Sequence, residues 1–356
     1  MTSGRTRLAI IFGGASSEHA VSVRSARAVI GATDIDRFEI VPFGITRQGA
    51  WMRPAETQEL LDLIDGGAPE EVVGAEGIGV LARPQALEAL TSVEVAFPLV
   101  HGRNGEDGSL QGLFELADLP YVGAGVAASA VGMDKDLTKT MIARAGIQVV
   151  PYQLLTRQAW HADPEAAVRA IADLGYPLFA KPANGGSSVG ITKVHSREDL
   201  APAIDDAFHH DRRILIEQGI DGREIECAVL GNDDPDASPL GEIIYTHEFY
   251  DYEAKYADTG TTLIAPADLP TSIADTIRAQ ARAAFQAIDC AGMARVDFFV
   301  DHSNAIWLNE INTIPGFTDV SMFPRLWAEA GMDFPSLIAR LVDLAFARHG
   351  EAHHVV

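Results

Sequence analysis

The sequence predicts an α/β fold of several domains, and three observations carry that reading. Up to about residue 124, apolar strand-like runs alternate with helix-like stretches, the rhythm of a parallel sheet with helices on its faces. Beyond that point, shorter runs of alternating pattern are joined by tight turns, as in antiparallel sheets. The chain also has 356 residues, more than one ordinary core holds.

Taken in order, "RLAIIFGG" reads as a buried strand ending in a glycine pair and "EHAVSVRSARAVIGA" as a helix. "FEIVPFGI" and "VEVAFPLV" are strands, and "GSLQGLFELADL" is a helix. The second region opens on one helix around "SAVGMDKDLTKTMIARAG" and passes through the strands "LFAKPA", "SVGITKV" and "RILIEQGI". Helices near 163–174 and 197–209 back these strands. The third region holds "EIECAVLG", "GEIIYTHEFY", the helix "IADTIRAQARAAFQAI", two further strands and closing helices such as "PSLIARLVDLAFARH". No internal repeat and no low-complexity linker is present, and the boundaries are set at 1–124, 125–219 and 220–356.

Composition excludes several function classes. A net charge of −23 argues against nucleic acid, whose phosphates call for clustered Lys and Arg. No apolar stretch is long enough to span a bilayer. "RLAIIF" runs straight into two glycines with no cleavage-like site, so the protein is expected to be cytoplasmic, with no membrane partner. Cys227 and Cys290 give neither a metal spacing nor a disulfide framework and read as small buried residues.

Four stretches carry chemistry. "ARVDFFVDHSNAIWLNEINTIPG" (294–316) reads as a hairpin. With a two-residue turn at Ser303-Asn304, Asp297 falls opposite Glu310 and Arg295 opposite Asn312, while Val296, Val300, Trp307 and Ile311 face the other way. Asn309 lands on that apolar face without an explanation. Two carboxylates and an amide oxygen on one face are hard donors suited to Mg²⁺. Acids so close repel unless a cation lies between them. "KPANGGSSVG" (181–190) places Lys181 at a strand end before a loop whose N–H groups suit phosphate, though the chain lacks the Gly-Lys of a P-loop. With Lys135 of "GMDKD", these features point to a nucleoside triphosphate site, its base near "RILIEQGI" and Glu217. "IIFGGASSEHAVS" is a strand–turn–helix in which Ser16 or Ser17 caps the helix and Glu18 enters its first turn. In "PLVHGRNGEDG", turn chemistry accounts for the asparagine and glycines but not for His101 at a strand tip.

At these stretches, and at "YDYEAKY" and "GFTDVSMFP", the sequence closely resembles the D-alanine–D-alanine ligases of the ATP-grasp superfamily. The resemblance spans nearly the whole chain, is weakest near 48–90, and departs at Ala20 and Gln218. It implies a three-domain ATP-grasp architecture: an N-terminal substrate-binding domain, a central domain with a phosphate lid at 184–190, and a C-terminal domain with the metal site. It further implies ATP as substrate, with Lys135 and Lys181 on phosphate, and Ser187, Ser188 and Lys255 counted with the same site. Glu217, Gln218 and Ile220 would meet the adenine edge and Glu224 the ribose. Asp297, Glu310 and Asn312 match the ligands of two Mg²⁺ (or Mn²⁺) ions. By the same resemblance, Glu18 holds the first D-alanine's ammonium and links to Ser187 and Tyr256, while His101 positions that substrate. Arg295 and the N–H of Gly316 meet the oxyanion, and Ser321 with the N–H of Met322 receives the second carboxylate. The implied activity is ATP-dependent formation of D-alanyl-D-alanine through an acyl phosphate, for peptidoglycan precursors, by a homodimer. The alternatives are a D-alanine–D-lactate depsipeptide ligase, an NAD-dependent oxidoreductase and a non-catalytic nucleotide-binding protein.

Overall fold

The computed structural model describes residues 4–73, 84–186, 189–244, 261–318 and 320–353. In the first sheet, β1 (Thr6–Gly13) lies between β2 (Phe38–Ile45) and β3 (Val95–Pro98), parallel to both. The unbroken apolar run of β1 follows from burial on two sides. Leu8, Ile10 and Phe12 enter one core cluster, and Ala9 and Ile11 enter another. Four helices accompany this sheet: α1 (His19–Ala32), α2 (Pro54–Asp65), α3 (Pro84–Leu90) and α4 (Ser109–Leu116). Glu18, and neither serine, occupies the cap position of α1, and its N–H donates to Ser16 Oγ at 3.3 Å.

The single helix expected around residues 129–146 is two helices, α5 (Val126–Met133) and α6 (Lys135–Arg144). Asp134 breaks them. Its backbone is extended, and its carboxylate accepts from the N–H groups of Asp136 and Leu137 at 3.1 Å each, so it caps α6 instead of continuing α5.

The second sheet is antiparallel throughout, in the order β4 (Tyr152–Thr156), β7 (Arg213–Gln218), β5 (Leu178–Pro182), β6 (Thr192–Val194). The strand β4 did not stand out in the sequence. α7 (Arg157–Ala162), α8 (Pro164–Ala170) and α9 (Arg197–His210) supply Trp160, Ala167, Ile204 and Phe208 to its core.

The third sheet runs β10 (Thr262–Ile264), β9 (Asp236–Ile244), β8 (Gly222–Gly231), β11 (Gly292–Asp301), β12 (Ile306–Asn312), again antiparallel. α10 (Thr271–Ala287) buries Ile277, Ala281, Ala284 and Phe285, one helical stripe, against it. α5 and α6 pack on β12. α11 (Met322–Glu329) and α12 (Phe334–His353) join the third sheet to the first. Phe317 stands edge-on to Phe97 at 5.6 Å and lies in one cluster with Leu8, Phe12, Phe323 and Leu341.

The β11–β12 hairpin differs from expectation at its turn. The loop has three residues, His302 to Asn304: Asp301 N–H donates to Ala305 O at 3.1 Å, and Asn304 takes a left-handed φ of 64°. That is a type I turn closed by a left-handed residue. A register shift then sets Phe298 against Leu308 but Asp297 against Glu310, so Asn309 is an extra, bulged residue. The bulge explains why Asn309 does not belong to the apolar face. It also corrects Trp307, which lies opposite Phe299 and donates to Asp301 Oδ2 at 3.1 Å, while Leu308 is the one in the core. Turn and bulge each change the register by one residue in opposite directions. Beyond the bulge, Asp297–Glu310 and Arg295–Asn312 are therefore paired as expected.

Candidate active site

A cleft of about 1470 Å³ opens where the second and third sheets meet the loops after β1 and β3. The expected site residues among those described all line it, wall by wall as follows; Ser187, Ser188, Lys255 and Tyr256 lie outside the described residues.

One wall is the β8–β11–β12 surface. Arg295 grips Asp297 with two parallel bonds, Nε to Oδ1 at 2.8 Å and Nη2 to Oδ2 at 2.7 Å, and its Nε stands 2.9 Å from Glu226. Burial opposes the guanidinium charge, but Asp297 and Glu226 outweigh it and hold the group well above its ordinary range. Lys135 Nζ donates to Gly185 O at 2.6 Å and stands 3.8 Å from Glu310. The cations that two opposed acids demand are thus present in the chain itself. Asn312 Oδ1 accepts from the Ile314 N–H at 3.0 Å and keeps a second lone pair. Among the described residues no group of three or more His, Cys, Asp or Glu side chains is spaced to hold a metal. Still, two carboxylates and an amide oxygen on one wall are the hard, incomplete donor set that a Mg²⁺ ion shared with phosphate takes, and in that sense they fit.

Below this wall lies a group of buried charges. Glu217, at the end of β7, is 1% exposed; one carboxylate oxygen bonds Lys181 Nζ and the other stands 2.8 Å from Lys139 Nζ. Burial alone would push this carboxyl up, but the two ammonium groups prevail and hold it below the ordinary range. Gln218, Ile220 and Glu224 continue the wall along the turn into β8.

The third wall comes from the loops after β1 and β3. The His101 ring bonds Ile314 O through Nδ1 at 3.1 Å, and its buried Nε2 has no partner among the described residues. Burial lowers this histidine's pKa, so the ring is neutral and Nε2 is left as an acceptor. Glu106 is buried and accepts from the Gly102 N–H. Burial, reinforced by Glu18, pushes it up to about 8. A Cβ at Gly186 would come within 3.1 Å of Glu18 Oε2, so a larger residue there would push this carboxylate aside by a few tenths of an ångström.

The last wall is Gly316, Ser321 and Met322 at the start of α11. A Cβ on Gly316 would stand 2.9 Å from Ser321 Oγ, and Thr318 N–H donates to that hydroxyl at 3.0 Å. Unpaired N–H groups at a helix start suit a carboxylate.

The two lysine-bearing segments are fastened together. Arg213 reaches Asp134 at 3.1 Å and Asp136 at 2.6 Å, Asn184 Nδ2 donates to Asp134, and Lys135 N–H donates to Ala183 O at 2.9 Å.

Sequence reasoning missed Lys139, Glu106 and Glu226. Glu226 was discoverable, because in "EIEC" it shares a strand face with Glu224. The other two carried no such signal.

Two antiparallel sheets closing on a cleft of paired lysines, a glycine loop and opposed carboxylates define the ATP-grasp class. Residues 7–124 match the family model described as D-ala D-ala ligase N-terminus, and residues 141–343 that of D-ala D-ala ligase C-terminus. The D-alanine–D-alanine ligase of Acetivibrio thermocellus is 45% identical, over 98% of this chain and 97% of the relative. D-alanine–D-alanine ligase A of Escherichia coli K12 is 47% identical, over 97% of each. Among solved structures, the D-alanine–D-alanine ligase from Coxiella burnetii superposes with a TM-score of 0.82 at 37% identity, covering 99% of this chain and 97% of that one. The VanG D-Ala:D-Ser ligase from Enterococcus faecalis gives 0.80 at 36%, covering 96% and 99%. The chain belongs to the D-alanine–D-alanine ligase family.

Proposed function

We propose that this protein joins two D-alanines into D-alanyl-D-alanine, a peptidoglycan precursor, using ATP and releasing ADP and phosphate. One observation carries the proposal: a single cleft is lined by Lys135 and Lys181, by Arg295 with Asp297, by the Glu18 carboxylate and by the helix start at Ser321 and Met322. The named ligases at 45–47% identity support the dipeptide over the depsipeptide product.

A carboxylate is a poor acyl donor because oxide is a poor leaving group. Transfer of the γ-phosphoryl to the first D-alanine's carboxylate makes an acyl phosphate, which the second amine attacks. Lys135 and Lys181 neutralise phosphate charge as it builds, and Glu217, Gln218, Ile220 and Glu224 receive the nucleoside. Glu18 holds the first ammonium, and neutral His101 orients that substrate; Ser187 and Tyr256, outside the described residues, are assigned to the same step. Arg295, fixed by Asp297 and Glu226, meets the tetrahedral oxyanion together with the Gly316 N–H. Ser321 and the Met322 N–H take the second carboxylate. Ser188 and Lys255 belong to the phosphate side. Asp297, Glu310 and Asn312 would hold two Mg²⁺ or Mn²⁺ ions, whose chemistry is to screen the transferring phosphoryl oxygens.

The chain divides at 1–124, 125–219 and 220–356 in this proposal, with α5 and α6 of the middle unit leaning on the third sheet. A homodimer in the cytoplasm is proposed as the working form; no helix among the described residues is long and apolar enough to cross a membrane. The test is to supply ATP, Mg²⁺ and D-alanine and measure phosphate release with dipeptide formation. L-alanine and D-lactate serve as controls. Phosphate release without dipeptide, or preference for D-lactate, refutes the assignment.

A further inference from the structure

Lys139 is an odd residue to find where it is. It lies one helical turn after Lys135 on α6, yet where Lys135 reaches the cleft, Lys139 is 1% exposed beneath it. Burying an ammonium and ordering its long stem are both unfavourable, and an apolar side chain would fill the same space. Its Nζ stands 2.8 Å from Glu217 Oε2 and 5.8 Å from the centre of the Tyr152 ring. Lys181 bonds the other oxygen of the same carboxylate. Two ammonium groups therefore share one buried carboxylate.

Given the ATP site proposed above, that surplus has a use. Lys181 is wanted by a phosphate and Glu217 by the 6-amino group of adenine. With Lys181 as sole partner, moving it to phosphate would strand a buried carboxylate, which would take up a proton and could no longer simply accept from the amine. We infer that Lys139 is a positioning residue for the nucleotide: as the standing counter-ion of Glu217, it frees Lys181 for phosphate and keeps the carboxylate charged and aimed at the base.

The groups facing Glu217 are Lys139 from α6 and Lys181 from β5, and Glu310 from β12 acts on Lys139 from further away. Burial and Lys181 lower the Lys139 ammonium while Glu217 raises it. The direction at Glu217 is downward, so its charge is set well below neutral pH.

The test compares wild type, Lys139→Met and Lys139→Arg with ATP and with ITP, which carries an oxo group where ATP has its amine. Lys139→Met is expected to raise the KM for ATP about tenfold or more, with kcat within about threefold, and to cut the ATP-over-ITP ratio of kcat/KM at least about fivefold. Lys139→Arg, which keeps the charge, should restore both values to within about threefold of wild type. An ATP KM within about twofold of wild type in Lys139→Met overturns the inference, as does equal loss for ATP and ITP with kcat falling in step. If Lys139→Met does not fold, the wild type decides. Its ATP-over-ITP preference should stay within about twofold from pH 5.5 to 8.5, and a collapse on the acid side would mean that Glu217 takes up a proton. Failure of wild type to use ATP at all overturns both this inference and the function it rests on, and is told apart by needing no variant.

Discussion

Replacing Glu106 with Gln should stabilise this protein, and increasingly so as the pH rises. The carboxyl is buried behind the His101 loop, and burial pushes it up from 4.5 to about 8, with Glu18 and Glu310 adding to the effect and Arg295 and the Gly102 N–H opposing it. Below about pH 4.5 folded and unfolded chains both carry the proton, and the group costs nothing. Between that point and about pH 8 the folded chain keeps a proton that the unfolded chain releases, and stability falls by about 1.4 kcal/mol per pH unit. The penalty is then about 3 kcal/mol at pH 7 and about 5 kcal/mol above pH 8. The cleft is open to water, which we take to reduce these figures by about half. Gln keeps the carbonyl that accepts from Gly102 and never ionises. Midpoints of thermal unfolding should therefore match at about pH 4.5, differ by about 2–4 °C at pH 7, and differ further at pH 8.5. The difference between midpoints is the quantity to read, since a chain with several cores need not unfold in two states. A variant less stable than wild type at pH 8.5, or a gap that does not change with pH, would refute the reasoning.

Glu310→Gln should leave the fold intact, because β12 keeps its register, yet lower Mg²⁺-dependent turnover about 10²-fold or more. Near-wild-type turnover in a folded variant would remove the metal role. Phe317→Ala should cost about 3–5 kcal/mol, since this fully buried ring touches Phe97, Phe323 and Phe334 with centroids 5.5–5.9 Å apart. Urea unfolding reads the loss, and a shift under about 1 kcal/mol would show that the first and third sheets do not depend on their shared core.

The hairpin shows how much of the site was legible and on what terms. Opposed pairs follow from alternation and turn length, and Asp297 with Glu310 could be paired on paper. The turn length assumed was wrong, and the bulge at Asn309 was invisible, because no local residue preference marks a bulge that serves sheet twist. The two errors cancelled at the cleft and showed only between turn and bulge, at Trp307, Leu308 and Asn309. The parallel sheet was plain because the "LAIIF" run needs two buried faces, and the cysteines read as buried residues, as Cys227 is, its thiol pushed up to about 12 by burial. Lys139 was hidden for the opposite reason. A lysine four residues after another on a helix looks like solvated surface, and only the packing of α6 on β12, which sets Lys139 against Glu217, makes it interior. Glu106 likewise read as part of a turn, and nothing local says that the turn folds inward.

The links from Arg213 to Asp134 and Asp136, and from Asn184 to Asp134, bear on entropy. Lys135 and Lys181 come from segments that are far apart in sequence, and an unfastened pair would have to be ordered by the ligand itself, at about 0.5–1.5 kcal/mol per immobilised side chain. Here the backbones beneath both lysines are joined when the chain folds, through Lys135 N–H to Ala183 O and the Arg213 fork. The ordering is thus charged to folding and not to association, so an arriving triphosphate meets a charge pattern whose spacing is already set. If Lys135 and Lys181 take phosphate as proposed, loosening Arg213 should weaken that grip from a distance.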